Sequence, residues 1–359
     1  MLLQLDRLAE TPYFSLDLDN YISDLRKVTR ELISRISATP ATLNEEVARL
    51  ALENIWELTQ FLTGSTTKQV PYEVVYAIER AARGWTSSPL LVTTAIVQES
   101  SFFFQGGQES FFRAMEAELG IAIKGRPVQI ALPYVYRHKP LFCIPLFHEL
   151  GHFVDSARDI VVTSLLQFPP ESGPALPGLT APADVASLSA GEKRIWDGVV
   201  KRHRQEYFAD LFSAAYVGKA TKGFLEQFCP DAEVAHTHPS SSARFALLDD
   251  FYEGRSNPII DMFQKTLAAR GLPKLEKMFD TVDLEPSMGN VRPFQVESDR
   301  QLFGLFESGW DFLITQWQSG SSHWAHVAPD DRVDVANDLI EKAIRNRMIR
   351  EAWNAAVDS

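Results

Sequence analysis

Thirteen residues, Cys143-Ile-Pro-Leu-Phe-His-Glu-Leu-Gly-His-Phe-Val-Asp155, constrain this chain more than any other stretch, because His148, Glu149 and His152 spell H-E-x-x-H within an apolar run. Two imidazoles at i and i+4 on a helix project from one face, about one turn apart, so both can reach a single divalent cation. That pairing suits zinc. Glu149 then points toward the cation's remaining position, where it can take a proton from water. The flanking Leu141, Phe142, Ile144, Leu146, Phe147, Leu150, Phe153 and Val154 mark a buried segment. Buried polar groups need partners, and one cation serves both histidines. The bland alternative is a chance spelling by a chain with eight histidines; the apolar flanks argue against it.

A third donor must come from elsewhere in the chain. From Ser189, a capping box with Glu192 opens a long helix through Trp196, Val199, Val200, Tyr207, Phe208, Leu211, Phe212 and Ala215. His203, Glu206 and Asp210 fall on one stripe of it, at i, i+3 and i+7. A carboxylate buried there without a partner is costly. Glu206 is therefore the expected third ligand, and Asp210 the acceptor that orients a ligand histidine through its other ring nitrogen. His203 could replace Glu206, although it reads more readily as an exposed edge residue. Cys143 lies five positions before His148, poor spacing for a shared metal, and is expected to be a packed thiol. Asp155 is a reserve ligand. His323 and His326 form the other close histidine pair, but they lack Cys, Asp or Glu at ligand spacing and read as surface.

His148-Glu-Leu-Gly-His152 followed by Glu206-Tyr-Phe-Ala-Asp210 resembles the signature of the gluzincin metallopeptidases, H-E-x-x-H with a downstream E-x-x-A-D. Thr237-His-Pro-Ser-Ser-Ser-Ala-Arg244 looks like a further motif of the CAAX prenyl protease and heat-shock membrane protease family. That resemblance implies that Arg244 pairs with the acidic residues of the ligand helix and that His238 stands near the substrate carbonyl. It covers roughly residues 132–248. Those relatives are embedded in membranes, whereas this chain has no run of apolar residues long enough to span one, so their substrate class does not carry over. The cytosolic metallopeptidases that cleave bacterial repressors are also similar around H-E-L-G-H, with a shorter interval before the third ligand. The resemblance is thus to the clan.

Around this core the chain reads as scaffold. Leu18, Tyr21, Ile22, Leu25, Val28, Leu32 and Ile36 have helical spacing; a second helix runs from a Thr42–Glu45 capping box to Leu62, and a third from Pro71 toward Gly84. Leu90 to Val97 and Val128 to Tyr136 read as strands, the latter broken at Pro133, which marks an edge or a strand end. Aromatic residues between Ser100 and Gln105 precede a Gly106-Gly107 turn, and a short helix is expected at Phe111 to Leu119. The sheet edge either receives an extended peptide or is merely structural. Gln167 to Ala190, with five prolines, is a loop that either covers the site or is passive. Helices are expected at Asn257 to Gly271, Asp299 to Trp317 and Arg332 to Val357. The expected fold is α+β and mainly helical, a zincin-like core with a small sheet packed on the motif helix. Its regions are 1–88 (helical), 89–255 (metallopeptidase core, with 167–190 inserted) and 256–359 (helical).

The formal net charge of −12 offers no positive field for nucleic acid, and the basic stretch Lys342 to Arg350 reads as a solvated helix face. Two cysteines and no secretory pattern at the start favour a soluble protein of the reducing cytoplasm. The expectation is a zinc-dependent peptidase acting on a peptide or protein: Zn²⁺ on His148, His152 and Glu206, Glu149 as general base, His238 at the developing oxyanion and Arg244 fixing the acidic helix. The alternative is a non-catalytic, zinc-stabilised helical scaffold, in which protein would fill the fourth coordination position.

Overall fold

The stripe from Leu18 to Leu32 becomes one buried face of helix α2 (Leu16–Ala38), packed with α1 (Leu2–Ala9) and α3 (Glu45–Gly64) through Leu5, Leu25, Val28, Ile55 and Leu58. The computed structural model describes residues 1–11, 16–38, 45–64, 71–86, 90–97, 102–106, 116–118, 120, 126–179, 188–319 and 324–357. Thr42 and most of the expected helix at Phe111 to Leu119 lie outside the described residues. So does His323. The chain is α+β and mainly helical, with one described sheet.

Two compact units make up the chain: Met1–Val75 with Thr86–Arg137, and Tyr76–Trp85 with His138–Ser359. The first holds α1 to α3 and the sheet, in the order β1-β3-β2, where β1 is Leu90–Val97, β2 Phe103–Gly106 and β3 Arg126–Pro133. Strand β1 runs parallel to β3, with Leu90 opposite Arg126 and Val97 opposite Pro133. Strand β2 is antiparallel to β3, with Phe103 opposite Ala131. Of the two readings of Pro133, the strand end holds: β3 is the central strand, where a missing N–H is tolerated only at a terminus. The chain leaves it in a 3₁₀ turn at Tyr134–Tyr136, shortening the expected strand.

Helix α4 (Tyr72–Ala82) starts in the first unit and ends in the second. The second unit continues with α5 (Pro145–Arg158), α6 (Ile160–Gln167), α7 (Ala190–Val217), α8 (Ala220–Phe228), α9 (Ser241–Glu253) and α10 (Pro258–Ala269). A single turn at Glu285–Met288 precedes α11 (Asp299–Ser319) and α12 (Arg332–Val357). Helix α7 organises this unit. Its first turns are largely exposed, whereas from Val199 to Val217 it is buried on nearly every side, packed by α5, α6, α8, α9 and α11. From Tyr207 to Val217 it is apolar on nearly every face except at Asp210 and Ser213, as suits a core helix. Its start is the expected capping box: Ser189 Oγ accepts from Glu192 N–H, and Ser189 N–H donates to the Glu192 carboxylate at 2.9 Å. Among the described residues, no helix is long and apolar enough to cross a membrane.

Candidate metal centre

The motif helix α5 begins where its prolines allow. Pro145 occupies the first turn, where an absent N–H costs nothing, and Pro140 sits in a preceding 3₁₀ turn. The helix stops at Asp159, which adopts a left-handed backbone (φ 50°, ψ 39°). Asp155 secures this corner. Its Oδ1 accepts from Val161 N–H at 2.6 Å, capping α6, and its Oδ2 accepts from Gln205 Nε2 on α7 at 3.0 Å. Asp155 is therefore committed to holding three helices, and it stands outside the His148, His152 and Glu206 group.

Helices α5 and α7 approach closely because of Gly151, the glycine of H-E-L-G-H. A Cβ there would lie 2.8 Å from Ala209 Cα and 3.1 Å from Phe212 Cβ. Glycine inside a helix costs about 1 kcal/mol relative to alanine, and close backbone approach is what that cost secures here. The contact brings the stripe of α7 under the two histidines.

Three donors converge. His148 Nε2 lies 3.0 Å from His152 Nε2 and 3.4 Å from Glu206 Oε2, and His152 Nε2 lies 3.4 Å from Glu206 Oε1. The rings are nearly perpendicular, at 88°, so the nitrogens meet edge on. A cation holding N and O donors tetrahedrally at about 2.0–2.1 Å separates those donors by about 3.3–3.4 Å. The two histidine–carboxylate spacings fit that figure and the histidine pair stands a few tenths of an ångström closer, while the donor set of two imidazoles and one carboxylate suits zinc chemistry.

Behind the donors runs a second tier. His148 Nδ1 stands 3.0 Å from Asp210 Oδ1, off the line of a well-aligned hydrogen bond. Asp210, wholly buried, accepts two charge-assisted bonds from Arg244 on α9, Nε to Oδ2 and Nη2 to Oδ1, each 2.6 Å. Burial alone would raise the Asp210 pKa, but Arg244 and His148 hold it below the usual carboxylate range. Burial likewise disfavours charge on Glu206, yet contacts with His148 and His152 hold its pKa far below that range. For His148, burial works downward and the Asp210 and Glu206 carboxylates more than offset it, to about 10. Glu149 is partly buried; desolvation raises its pKa, while His148, His152 and His238 pull it down.

His238 comes from the segment between α8 and α9. Its side chain is 57% exposed, with Nε2 3.5 Å from Glu206 Oε1 and Nδ1 2.8 Å from Thr237 Oγ1. A cavity of about 180 Å³ adjoins His148, Glu206 and His238, walled by Ile144, Pro145, Phe224 and Leu225 and floored by Ser213 and Thr221.

His203 is corrected: it is fully buried, and its Nε2 donates to Ala235 O at 2.7 Å, so it is neither an exposed edge residue nor a donor of the cluster. Its position on the stripe was legible, but the loop that covers it carries no periodic signal. Nothing in the local sequence marks the α8 wall, whereas Gly151, a glycine inside an apolar helix, is itself a sign of close packing. Cys143 is a buried thiol whose pKa is driven up by desolvation, consistent with packing. His326 is exposed. These residues define a candidate centre for a single cation in a mainly helical α+β chain. No protein-family model, curated protein or solved structure matches the chain, so the gluzincin resemblance rests on its short motifs alone.

Proposed function

We propose that the chain is a zinc-dependent metallopeptidase that hydrolyses peptide bonds, with His148, His152 and Glu206 holding the ion. The observation that carries this reading is the spacing of the three donors, 3.0, 3.4 and 3.4 Å, beside a partly buried glutamate. Bound there, the cation supplies Lewis acidity that polarises a carbonyl and makes water nucleophilic near neutral pH. Glu149 accepts the proton of the attacking water and returns it to the leaving amine. Its raised pKa suits a base that must also act as an acid. His238 donates to the oxygen that gains charge, from an exposed position beside Glu206. Arg244 keeps Asp210 ionised, and Asp210, 3.0 Å from His148 Nδ1, stands where it can orient the ring so that Nε2 presents its lone pair. The adjoining cavity, apolar on its walls, accepts an apolar substrate side chain.

The competing reading, a zinc-stabilised scaffold without turnover, draws on the 3.5 Å approach of His238 to Glu206, from which His238 could close a fourth position. Glu149→Gln separates the two. The variant is expected to retain zinc and to lose hydrolysis by about 10²–10⁴-fold. N-terminal peptide profiling of cells expressing the native chain or the variant, with metal content measured on both, makes the comparison. Equal peptide cleavage by the two proteins would remove Glu149 from its role, and absence of cleavage by the zinc-loaded native chain would favour the scaffold.

A further inference from the structure

Helix α7 presents Glu206 and, one turn earlier, Arg202 and His203, which both reach the segment joining α8 to α9. His203 Nε2 lies 2.7 Å from Ala235 O. Since a carbonyl can only accept, this nitrogen carries the proton. Arg202 Nε donates to His236 O at 3.0 Å. Ala235 N–H donates in turn to His238 O at 2.9 Å, so Ala235 is held at its carbonyl by α7 and holds His238 through its amide. Residues 231 to 238 are all exposed and have no regular secondary structure. A segment with so few buried contacts opens easily unless particular bonds retain it.

We propose that His203 is a positioning residue: through Ala235 it fixes the main chain at His238 and so keeps that imidazole beside Glu206. This rests on the role given to His238 in the reading above. The His238 side chain has little packing of its own, so its place is inherited from its backbone. The His203 ring is fully buried, yet its Nδ1 finds no partner among the described residues. A leucine of similar bulk would fill the space without orphaning a nitrogen, so what the imidazole adds is the bond to Ala235. Burial pushes the His203 pKa down, which keeps the ring neutral and Nδ1 unprotonated. The helix that supplies a metal ligand thereby sets the position of the residue facing the substrate.

The test uses the full zinc-loaded chain and two variants: His203→Leu, which fills the space without a donor, and His203→Gln, which keeps one. His203→Leu is expected to leave zinc stoichiometry unchanged and to speed hydrogen exchange of the Ala235 amide at least about fivefold, the equivalent of one lost hydrogen bond. On a peptide substrate, kcat should fall at least about tenfold with KM within about twofold, since a group acting on the transition state is displaced. His203→Gln should recover most of both. Unchanged exchange and kcat in His203→Leu, or no recovery with Gln, would overturn the proposal. If the leucine variant does not fold, Arg202→Met at an exposed position carries the test: a smaller rise in exchange supports the proposal and no rise overturns it. Should the native chain hydrolyse nothing, the peptidase reading falls, while exchange at Ala235 still decides whether His203 holds the segment.

Discussion

Two clusters of partly or wholly buried charge in the second unit are built on opposite principles. In one, Arg80 and Arg347 meet Asp299 and Glu351: Arg347 Nη2 lies 2.6 Å from Asp299 and 2.9 Å from Glu351, Tyr76 donates to Glu351 at 2.7 Å, and Arg80 pairs with Glu351 while lying over the Tyr76 ring. Two cations face two anions, so the charges of this cluster balance among themselves. In the other, Glu206 and Asp210 face Arg244, and the His148 ring, its pKa raised to about 10 by those carboxylates, carries the balancing proton with its Nε2 only 3.0 Å from that of His152. The charge that completes this cluster is a proton, which a cation can displace. Burying charge does not by itself announce a function; burying carboxylates balanced by an exchangeable proton is the more suggestive arrangement.

The sharpest way to break this comparison is to remove the cation each cluster already owns. Arg244→Met leaves Asp210 wholly buried without its partner and should cost about 3–5 kcal/mol in urea unfolding. Adding Asp210→Asn should recover part of that loss, and additive losses in the double variant would dissolve the proposed coupling. Gly151→Ala should cost about 1–3 kcal/mol through overpacking against Ala209, and should weaken zinc binding as α5 is pushed from α7. Zinc affinity unaffected by this substitution would show that the helix spacing does not set the donor geometry.

The pH dependence sharpens the comparison further. The metal-free His148, its pKa raised to about 10, contributes stability that is complete below the ordinary histidine value and is lost as pH rises through about 10. A metal must displace that proton. Apparent zinc affinity should therefore climb about tenfold per pH unit between about pH 7 and pH 9, with release of about one proton. Calorimetry in buffers of different ionisation enthalpy measures this, and a flat profile would contradict the assigned proton. The smallest effect is expected in the closed cluster. Arg347→Met, whose partners are substantially exposed, should cost about 1 kcal/mol or less and leave zinc binding unchanged.

Sequence and structure agree where a contact is local and diverge where it is not. His148 and His152 share a helix face by spacing alone, and Glu206 and Asp210 announce themselves as carboxylates on an apolar stripe. Their meeting across the two helices depends on Gly151 against Ala209, a contact between residues far apart in the chain. Strand β1 is legible in its β-branched run, but the central place of β3 depends on pairings with two other segments. The basic stretch Lys342 to Arg350 was expected to be a solvated face. Arg347 instead is buried, with its charge paired by Asp299 and Glu351, and no rule of residue spacing reveals a partner on α11.

The burial of α7 around Glu206 has a bearing on which ion can be accepted. Glu206, buried on a core helix, has little room around it for extra water or further oxygens. Calcium, which takes six to eight oxygen ligands, and magnesium, which keeps much of its hydration, are poorly served by two fixed imidazoles and one fixed carboxylate.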